Sequence, residues 1–436
     1  MEKVIAKRLS SLAKQTDTWT QSHQNALSLK LAELPYNLTQ EQLDAIHTAM
    51  VNHVSAIIGG AGTGKTTVIR TALRAYNEMG YTIIPCALSG RAAKRMHESI
   101  GFITTTIARL LREPPVEEET KSLLVIDEAG MIDVPTMYQL VKHLHPSVRI
   151  LFVGDANQLP PIGVGAILND VIKSQAIPVS ELTIVQRQSA ESGVPDYAND
   201  IKDGELPENL SIGCITHHDE TTEDAIKSKC VELLCKSSGD VMLIAPTKKL
   251  VQELNELAQA QLNLIGEPLM LSQYEQMYRT DFKLNDPVIF TKNNHAAGVQ
   301  NGSLGKLVSI DDWGSVEFED GSILKLDQTL FDTLELAYAI TLHKAQGSQF
   351  ETVIVVLPPN SRMLNRAWLY TAVTRVESKL HIVGSEQTFA EAINRPSPAL
   401  TRKTCLAELL VAETKKNSNN SCKNFLFTFS HTDFFL

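Results

Sequence analysis

Three stretches of this 436-residue chain carry residue types at spacings that suit phosphate chemistry. The first is Gly59-Gly60-Ala-Gly62-Thr63-Gly64-Lys65-Thr66-Thr67. Phosphate oxygens need several donors converging at close range. The glycines at 59, 60, 62 and 64 let backbone N–H groups turn inward without a side-chain clash. Lys65 can reach the outer phosphates, and the Thr66 hydroxyl is a ligand for Mg²⁺. The competing reading is a glycine-rich structural turn. It gives no reason for Gly-Lys-Thr at this spacing, after a strand and before a helix.

The second stretch is Leu123-Leu-Val-Ile-Asp127-Glu128, an apolar run that ends in two carboxylates. Asp127 is placed to hold Mg²⁺ through its water shell, and Glu128 to orient and deprotonate an attacking water. The third is Gly154-Asp155-Ala-Asn-Gln158-Leu-Pro-Pro, where Gln158 can sense a terminal phosphate or the attacking water. Arg187, in Gln186-Arg187-Gln188, is a candidate cation for the same phosphate; in isolation both Gln158 and Arg187 read as surface residues. Gln42 precedes the glycine-rich loop, and its amide could pair with an adenine edge. Ser89-Gly90-Arg91-Ala-Ala-Lys94-Arg95 reads equally as a contact for a phosphodiester backbone or as a solvated basic helix start.

These groups need a scaffold. The run Val54–Ile58 predicts a buried strand and Val68–Tyr76 a helix, with the loop between them. Further strands are expected at 82–87, 123–126 and 149–153, and a helix that Thr39 can cap begins after Leu38. Residues 1–36 have helix-like spacing and no chemistry. The second half repeats the α/β rhythm with a strand at 240–245, a helix over 249–262 and a strand at 352–357. Between these lie short alternating strands over 283–333, separated by Asn-Gly and Asp-Gly turns. Residues 412–424 are polar and read as disordered. Five of the thirteen phenylalanines follow Lys423, and their clustering has no functional reading in the sequence.

Composition narrows the class. Apolar residues make up 43% and charged residues 21% of the chain, as in a globular protein. The six cysteines form no C-x-x-C pair, which argues against a zinc site or a disulfide framework and for a reducing, cytoplasmic setting. The N-terminus has no signal-peptide core, and no apolar run approaches the about 18 residues of a membrane span. A net charge of −10 disfavours nucleic-acid binding over the whole surface but permits a local basic groove.

The ordered set Gly-Gly-Ala-Gly-Thr-Gly-Lys-Thr, Val-Ile-Asp-Glu-Ala-Gly-Met-Ile-Asp, Gly-Asp-Ala-Asn-Gln-Leu-Pro-Pro, Gln-Arg-Gln, Thr-Leu-His-Lys-Ala-Gln-Gly-Ser and Tyr-Thr-Ala-Val-Thr-Arg resembles the superfamily 1 helicases. Within them it is similar to the RecD-like branch, from about residue 38 to residue 410. The resemblance implies an α/β fold of two RecA-like P-loop NTPase domains with a small inserted Src-homology-3-like β-barrel. The expected parts are an N-terminal helical segment 1–36, a first RecA-like domain 37–189, a second one at 190–282 and 334–411, the barrel at 283–333, and a disordered tail 412–436.

The same resemblance implies ATP and Mg²⁺ between the two domains, and single-stranded DNA along them with movement 5′ to 3′. By match to the family motifs, Gln42, Gly59, Gly60, Gly62, Thr63, Gly64, Lys65, Thr66, Thr67, Gly347 and Gln349 contact the nucleotide. Thr66 and Asp127 serve the metal. Lys65, Glu128, Gln158, Arg187 and Arg375 serve hydrolysis, and Ser89, Gly90, Arg91, Thr341 and His343 contact the strand. The expected state is a monomer without a membrane, with repair, recombination or replication proteins as further partners.

Four positions depart from the family pattern: Gly130 for the usual Ser, Ala108 for His, Gln186 for an aromatic, and Gln349 for Glu. Residues 112–120 are short and acidic where a strand-splitting hairpin is expected, so translocation is better supported than duplex separation. Two alternatives stay open: an RNA-directed helicase of the same superfamily, and an ATP-gated strand-binding subunit of a larger complex.

Overall fold

Apolar runs without alternation suit strands buried on both faces, and the run that precedes the candidate phosphate loop becomes such a strand. The computed structural model describes residues 1–115, 121–184, 193–273, 276–294 and 296–426, the side chains of 272, 273, 276 and 417–426 excepted. Packing divides the chain into two units. Met1–Leu88, Met96–Gln186 and Pro398–Leu436 form the first; Ser89–Arg95 and Arg187–Ser397 form the second.

The first unit is built on a six-stranded sheet of β1 (Val54–Gly59), β2 (Thr82–Ala87), β3 (Thr105–Thr106), β4 (Ser122–Ile126), β5 (Arg149–Gly154) and β6 (Val179–Leu182). Their order is β3-β2-β4-β5-β1-β6, and every pairing is parallel. Successive side chains on a strand point to opposite faces. Accordingly Val54, Ala56, Leu124, Ile126, Ile150 and Phe152 enter one core, whereas Ile57, Leu123, Val125, Leu151 and Val153 enter the other. Because the strands are parallel, their C-terminal ends share one edge, which is where ligands bind in such sheets.

The helix Glu2–Ala13 buries Ile5, Leu9 and Leu12 in the first of these cores. Residues 1–36, expected as an N-terminal helical segment, carry the helices Glu2–Ala13 and Gln21–Leu31 and group with this unit. At the other end, the helix Leu406–Leu426 sends Leu406 and Leu410 into the same core. This corrects two expectations. Residues 412–426 continue a helix where the polar composition predicted disorder, and residues 398–426 group with the first unit instead of the second domain.

The second unit carries β7 (Ile215–His218), β8 (Val241–Ala245), β9 (Pro268–Gln273), β10 (Gln276–Lys283), β11 (Pro287–Phe290), β12 (Leu304–Ser309), β13 (Ser315–Phe318), β14 (Ile323–Lys325), β15 (Leu334–Leu336), β16 (Ala339–Thr341), β17 (Phe350–Val356) and β18 (Val376–Val383). A parallel sheet of order β16-β8-β17-β18-β7 forms its body. The four short strands expected between 283 and 333 are β11 to β14; with β15 they make a five-stranded antiparallel sheet, β14-β13-β12-β11-β15. Val288, Phe290, Leu307 and Val316 form its core. The β9–β10 hairpin was not foreseen.

Asp286, fully buried at the base of the antiparallel sheet, fixes that sheet to the unit's body. One carboxylate oxygen accepts from Gln259 Nε2 (2.6 Å) and the Lys283 N–H (2.7 Å). The other accepts from Asn263 Nδ2 (2.7 Å) and the Tyr338 hydroxyl (2.8 Å). A buried carboxylate with four donors meets the requirement that buried polar groups be paired. Burial and this carboxylate together push the Tyr338 phenol up from its ordinary value.

Candidate functional site

The candidate phosphate loop leaves β1 and enters the helix Lys65–Glu78. Gly64 caps that helix with φ +82°, in the left-handed region where a side chain is strained. A Cβ on Gly59 would lie 2.7 Å from Thr63 Oγ1 and 2.8 Å from the Leu182 carbonyl, so only glycine lets the loop pack against β6. The Lys65 ammonium folds over the loop and donates to the carbonyls of Gly59 (2.6 Å) and Gly60 (2.7 Å). The Thr63 hydroxyl donates to Gly60 (3.0 Å), closing the loop on itself. Thr66 is exposed and Thr67 half-buried; the Tyr36 hydroxyl lies 3.2 Å from Thr67 Oγ1.

Gln42 is only 4% exposed. Its Oε1 accepts the Thr39 N–H (3.1 Å) in the capping box of the helix Gln40–Val51, and its Nε2 donates to the Thr63 carbonyl (3.2 Å). One carboxamide thus ties a helix start to the phosphate loop. A donor and a lone pair remain for other contacts.

Asp127 and Glu128 follow β4, on the same sheet edge as the loop. The Asp127 N–H is held by the Cys86 carbonyl (2.9 Å), and Asp127 Oδ1 accepts the Glu128 N–H (2.9 Å). Glu128 sits at φ +50°, ψ +41°, a left-handed conformation that a glutamate adopts only at a cost. Burial, reinforced by the Asp127 carboxylate, pushes the neighbouring Cys86 thiol far up, so it is an inert core group. Beyond β5, Asp155 Oδ1 accepts the Asn157 N–H (3.0 Å), and Gln158 opens the loop that follows. The exposed Thr66 hydroxyl and the Asp127 carboxylate are both hard oxygen donors, which suits Mg²⁺.

Arg187, together with Gln186, lies outside the described residues. The other sequence-predicted residues fall in the second unit. Arg375 is 4% exposed. Its Nε donates to the Thr371 carbonyl (3.1 Å) and its Nη1 to the Ser348 carbonyl (3.3 Å). Gly347, with φ +75°, and Gln349 flank that serine. The Gln349 side-chain oxygen accepts from Arg95 Nη2 (2.7 Å). Sequence reasoning passed over two residues of the same turn. Gln346 and Ser348 are 6% and 2% exposed, yet Gln346 Nε2 and Ser348 Oγ have no protein partner. Buried polar atoms are rarely left this way, and their position beside Arg375 suits a polar ligand. Both stand within the quoted Gln-Gly-Ser motif, which was the available signal.

Ser89 Oγ accepts the Ala92 N–H (3.2 Å) and so caps the helix Gly90–Ile100. A Cβ on Gly90 would collide with the Gln300 side chain, 0.6 Å from its Oε1. Arg91 pairs with Glu319 (3.4 Å) and lies 5.4 Å from the Phe350 ring centroid; burial lowers its pKa from the ordinary value. Thr341 ends β16 and His343 follows on a short helix. Burial pushes the His343 imidazole down from its ordinary value. Thr341 also lines a cavity of about 810 Å³ with Lys248, Arg279, Lys283 and Lys344.

The described residues contain no helix long and apolar enough to cross a membrane. Residues 37–222 match the AAA domain family, and residues 336–383 match the UvrD-like helicase C-terminal domain family. The ATP-dependent RecD2 DNA helicase of Deinococcus radiodurans is 30% identical over 390 residues, covering 86% of this chain and 53% of that protein. The RecBCD enzyme subunit RecD of Mycolicibacterium smegmatis is 26% identical over 421 residues, covering 83% of this chain and 74% of that protein. The chain thus spans about half the length of the first relative. The crystal structure of Pif1 helicase from Bacteroides with ADP-AlF3 and ssDNA shares its fold, with a TM-score of 0.54 at 19% identity over 84% of this chain and 96% of that one. With its motifs in family order and its phosphate loop and carboxylates at one sheet edge, the chain is similar to the superfamily 1 helicases of the RecD-like branch.

Proposed function

We propose that this chain is an ATP-driven translocase on single-stranded DNA, moving 5′ to 3′. The observation that carries this reading is the gathering of Lys65, Thr66, Asp127, Glu128 and Gln158 at the C-terminal edge of one parallel sheet. The backbone of Gly59–Thr67 cradles the phosphates, and Lys65 exchanges its loop carbonyls for phosphate oxygens. Thr66 and Asp127 hold Mg²⁺, which neutralises phosphate charge when bound. Glu128 orients the attacking water and accepts its proton. Gln158 reports on the terminal phosphate.

Arg375 and Arg187 supply positive charge as negative charge shifts in the transition state. Gly347 and Gln349 contact the nucleoside, and Gln42 adds to adenine recognition. Ser89, Gly90, Arg91, Thr341 and His343 hold the strand. The antiparallel β11–β15 sheet, the counterpart of the expected Src-homology-3-like insertion, guides it. The protein works inside the cell.

The second reading is an ATP-gated strand-holding subunit. The similarity to RecD, a RecBCD subunit, across 74% of that protein favours it. Steady-state ATPase measurements with and without single-stranded DNA test both. A translocase turns over many ATP per strand at a rate that rises with added DNA. A gate shows slow hydrolysis that DNA does not accelerate.

A further inference from the structure

The chain passes from the second unit to the first at Pro398, and just beyond, Arg402 meets the loop that Gln158 opens. Arg402 Nη1 donates to the carbonyls of Gly163 (2.7 Å) and Gly165 (2.5 Å), and Nη2 donates to the carbonyl of Pro161. The three carbonyls belong to alternate residues of one bent loop, and a single planar guanidinium spans them. A lysine ammonium, a compact point donor, lacks that fork.

Leu159, Pro160 and Pro161 of this loop are buried, whereas its tip is not. Ile162 and Val164 are 83% and 69% exposed, so side-chain burial does not hold its tip. The Val134 N–H also donates to the Val164 carbonyl (2.9 Å). The segment that carries Arg402 is itself firmly seated. Thr404 Oγ1 donates to Asp170 Oδ1 (2.6 Å), and Leu406 and Leu410 are fully buried.

We propose that Arg402 is a positioning residue for ATP hydrolysis, fixing the Gln158–Gly165 loop and, through it, the Gln158 side chain. This rests on the role given to Gln158 above. Loss of a positioning contact lowers turnover without matching loss of nucleotide binding.

The test uses the full chain with Arg402→Met, Arg402→Lys and Thr404→Val. Thr404→Val removes the neighbouring hydrogen bond to Asp170, while the buried Leu406 and Leu410 keep the segment seated and the three carbonyl contacts in place. DNA-stimulated kcat should fall about 10- to 100-fold in Arg402→Met, with the KM for ATP within about twofold of wild type. Arg402→Lys should recover part of the loss, and Thr404→Val should turn over like wild type. Hydrogen exchange should rise in residues 159–165 of Arg402→Met and stay unchanged in the helix Lys65–Glu78. Wild-type turnover by Arg402→Met, or an equal loss in Thr404→Val, overturns the proposal. If the wild-type chain itself has no ATPase, the functional reading fails. Hydrogen exchange then still decides the clamp, and unchanged exchange in Arg402→Met overturns it.

Discussion

The Gln42 side chain donates to the Thr63 carbonyl across 3.2 Å while accepting the Thr39 N–H, so helix cap and phosphate loop share one residue. Gln42→Glu should keep the cap, since a carboxylate oxygen still accepts the Thr39 N–H. It sets an acceptor against the Thr63 carbonyl, so nucleotide affinity should drop. Gln42→Ala should lose both contacts and about 1 kcal/mol of stability. Parallel binding measurements with ATP and GTP separate the two roles of Gln42. If the link to Thr63 dominates, both affinities fall together. If base reading dominates, only ATP affinity falls.

That dual role was not legible in the sequence, because a capping box and an adenine contact use the same glutamine. The phosphate loop was legible: the eight positions from Gly59 to Thr66 restrict one another, and an apolar run and a helix pattern flank them. The core strands were legible because burial on both faces leaves unbroken apolar runs. The C-terminal helix was missed because its stretch from 412 is polar, and the leucines that seat it, Leu406 and Leu410, pack on distant parts of the chain. The place of Gly130 also needed coordinates. A Cβ there would lie 3.0 Å from the Asp155 carbonyl, so this chain packs closely where the family pattern has a serine.

The left-handed backbone at Glu128, φ +50°, predicts a trade of stability for activity. Glycine adopts this conformation without strain, so Glu128→Gly should gain about 1 kcal/mol. It should also lose hydrolysis, because the water-orienting carboxylate is gone. Thermal unfolding and ATPase assays on the same preparation check both. A destabilised Glu128→Gly would mean that side-chain contacts outweigh the backbone strain.

His381 predicts loss of stability in acid. Burial, with His218, Lys379 and Lys229 adding to it, pushes its imidazole down to about 4; His218 Nε2 lies 3.2 Å from its Nδ1. The unfolded chain binds this proton near pH 6.5, before the folded chain does. The stability it contributes is therefore complete above about pH 6.5 and is lost as pH falls toward about 4. His381→Phe should flatten the fall in melting temperature between those values. An unchanged slope would place the acid sensitivity elsewhere.

We propose that ATP hydrolysis at Lys65 and Glu128 drives movement along single-stranded DNA toward its 3′ end. It is tested most directly by timing streptavidin release from single strands biotinylated at either end. With ATP, release from the 3′ end should be fast and release from the 5′ end slow, and Lys65→Ala and Glu128→Gln should abolish both. DNA-stimulated ATP turnover with release from neither end would contradict translocation, and faster release from the 5′ end would contradict the direction.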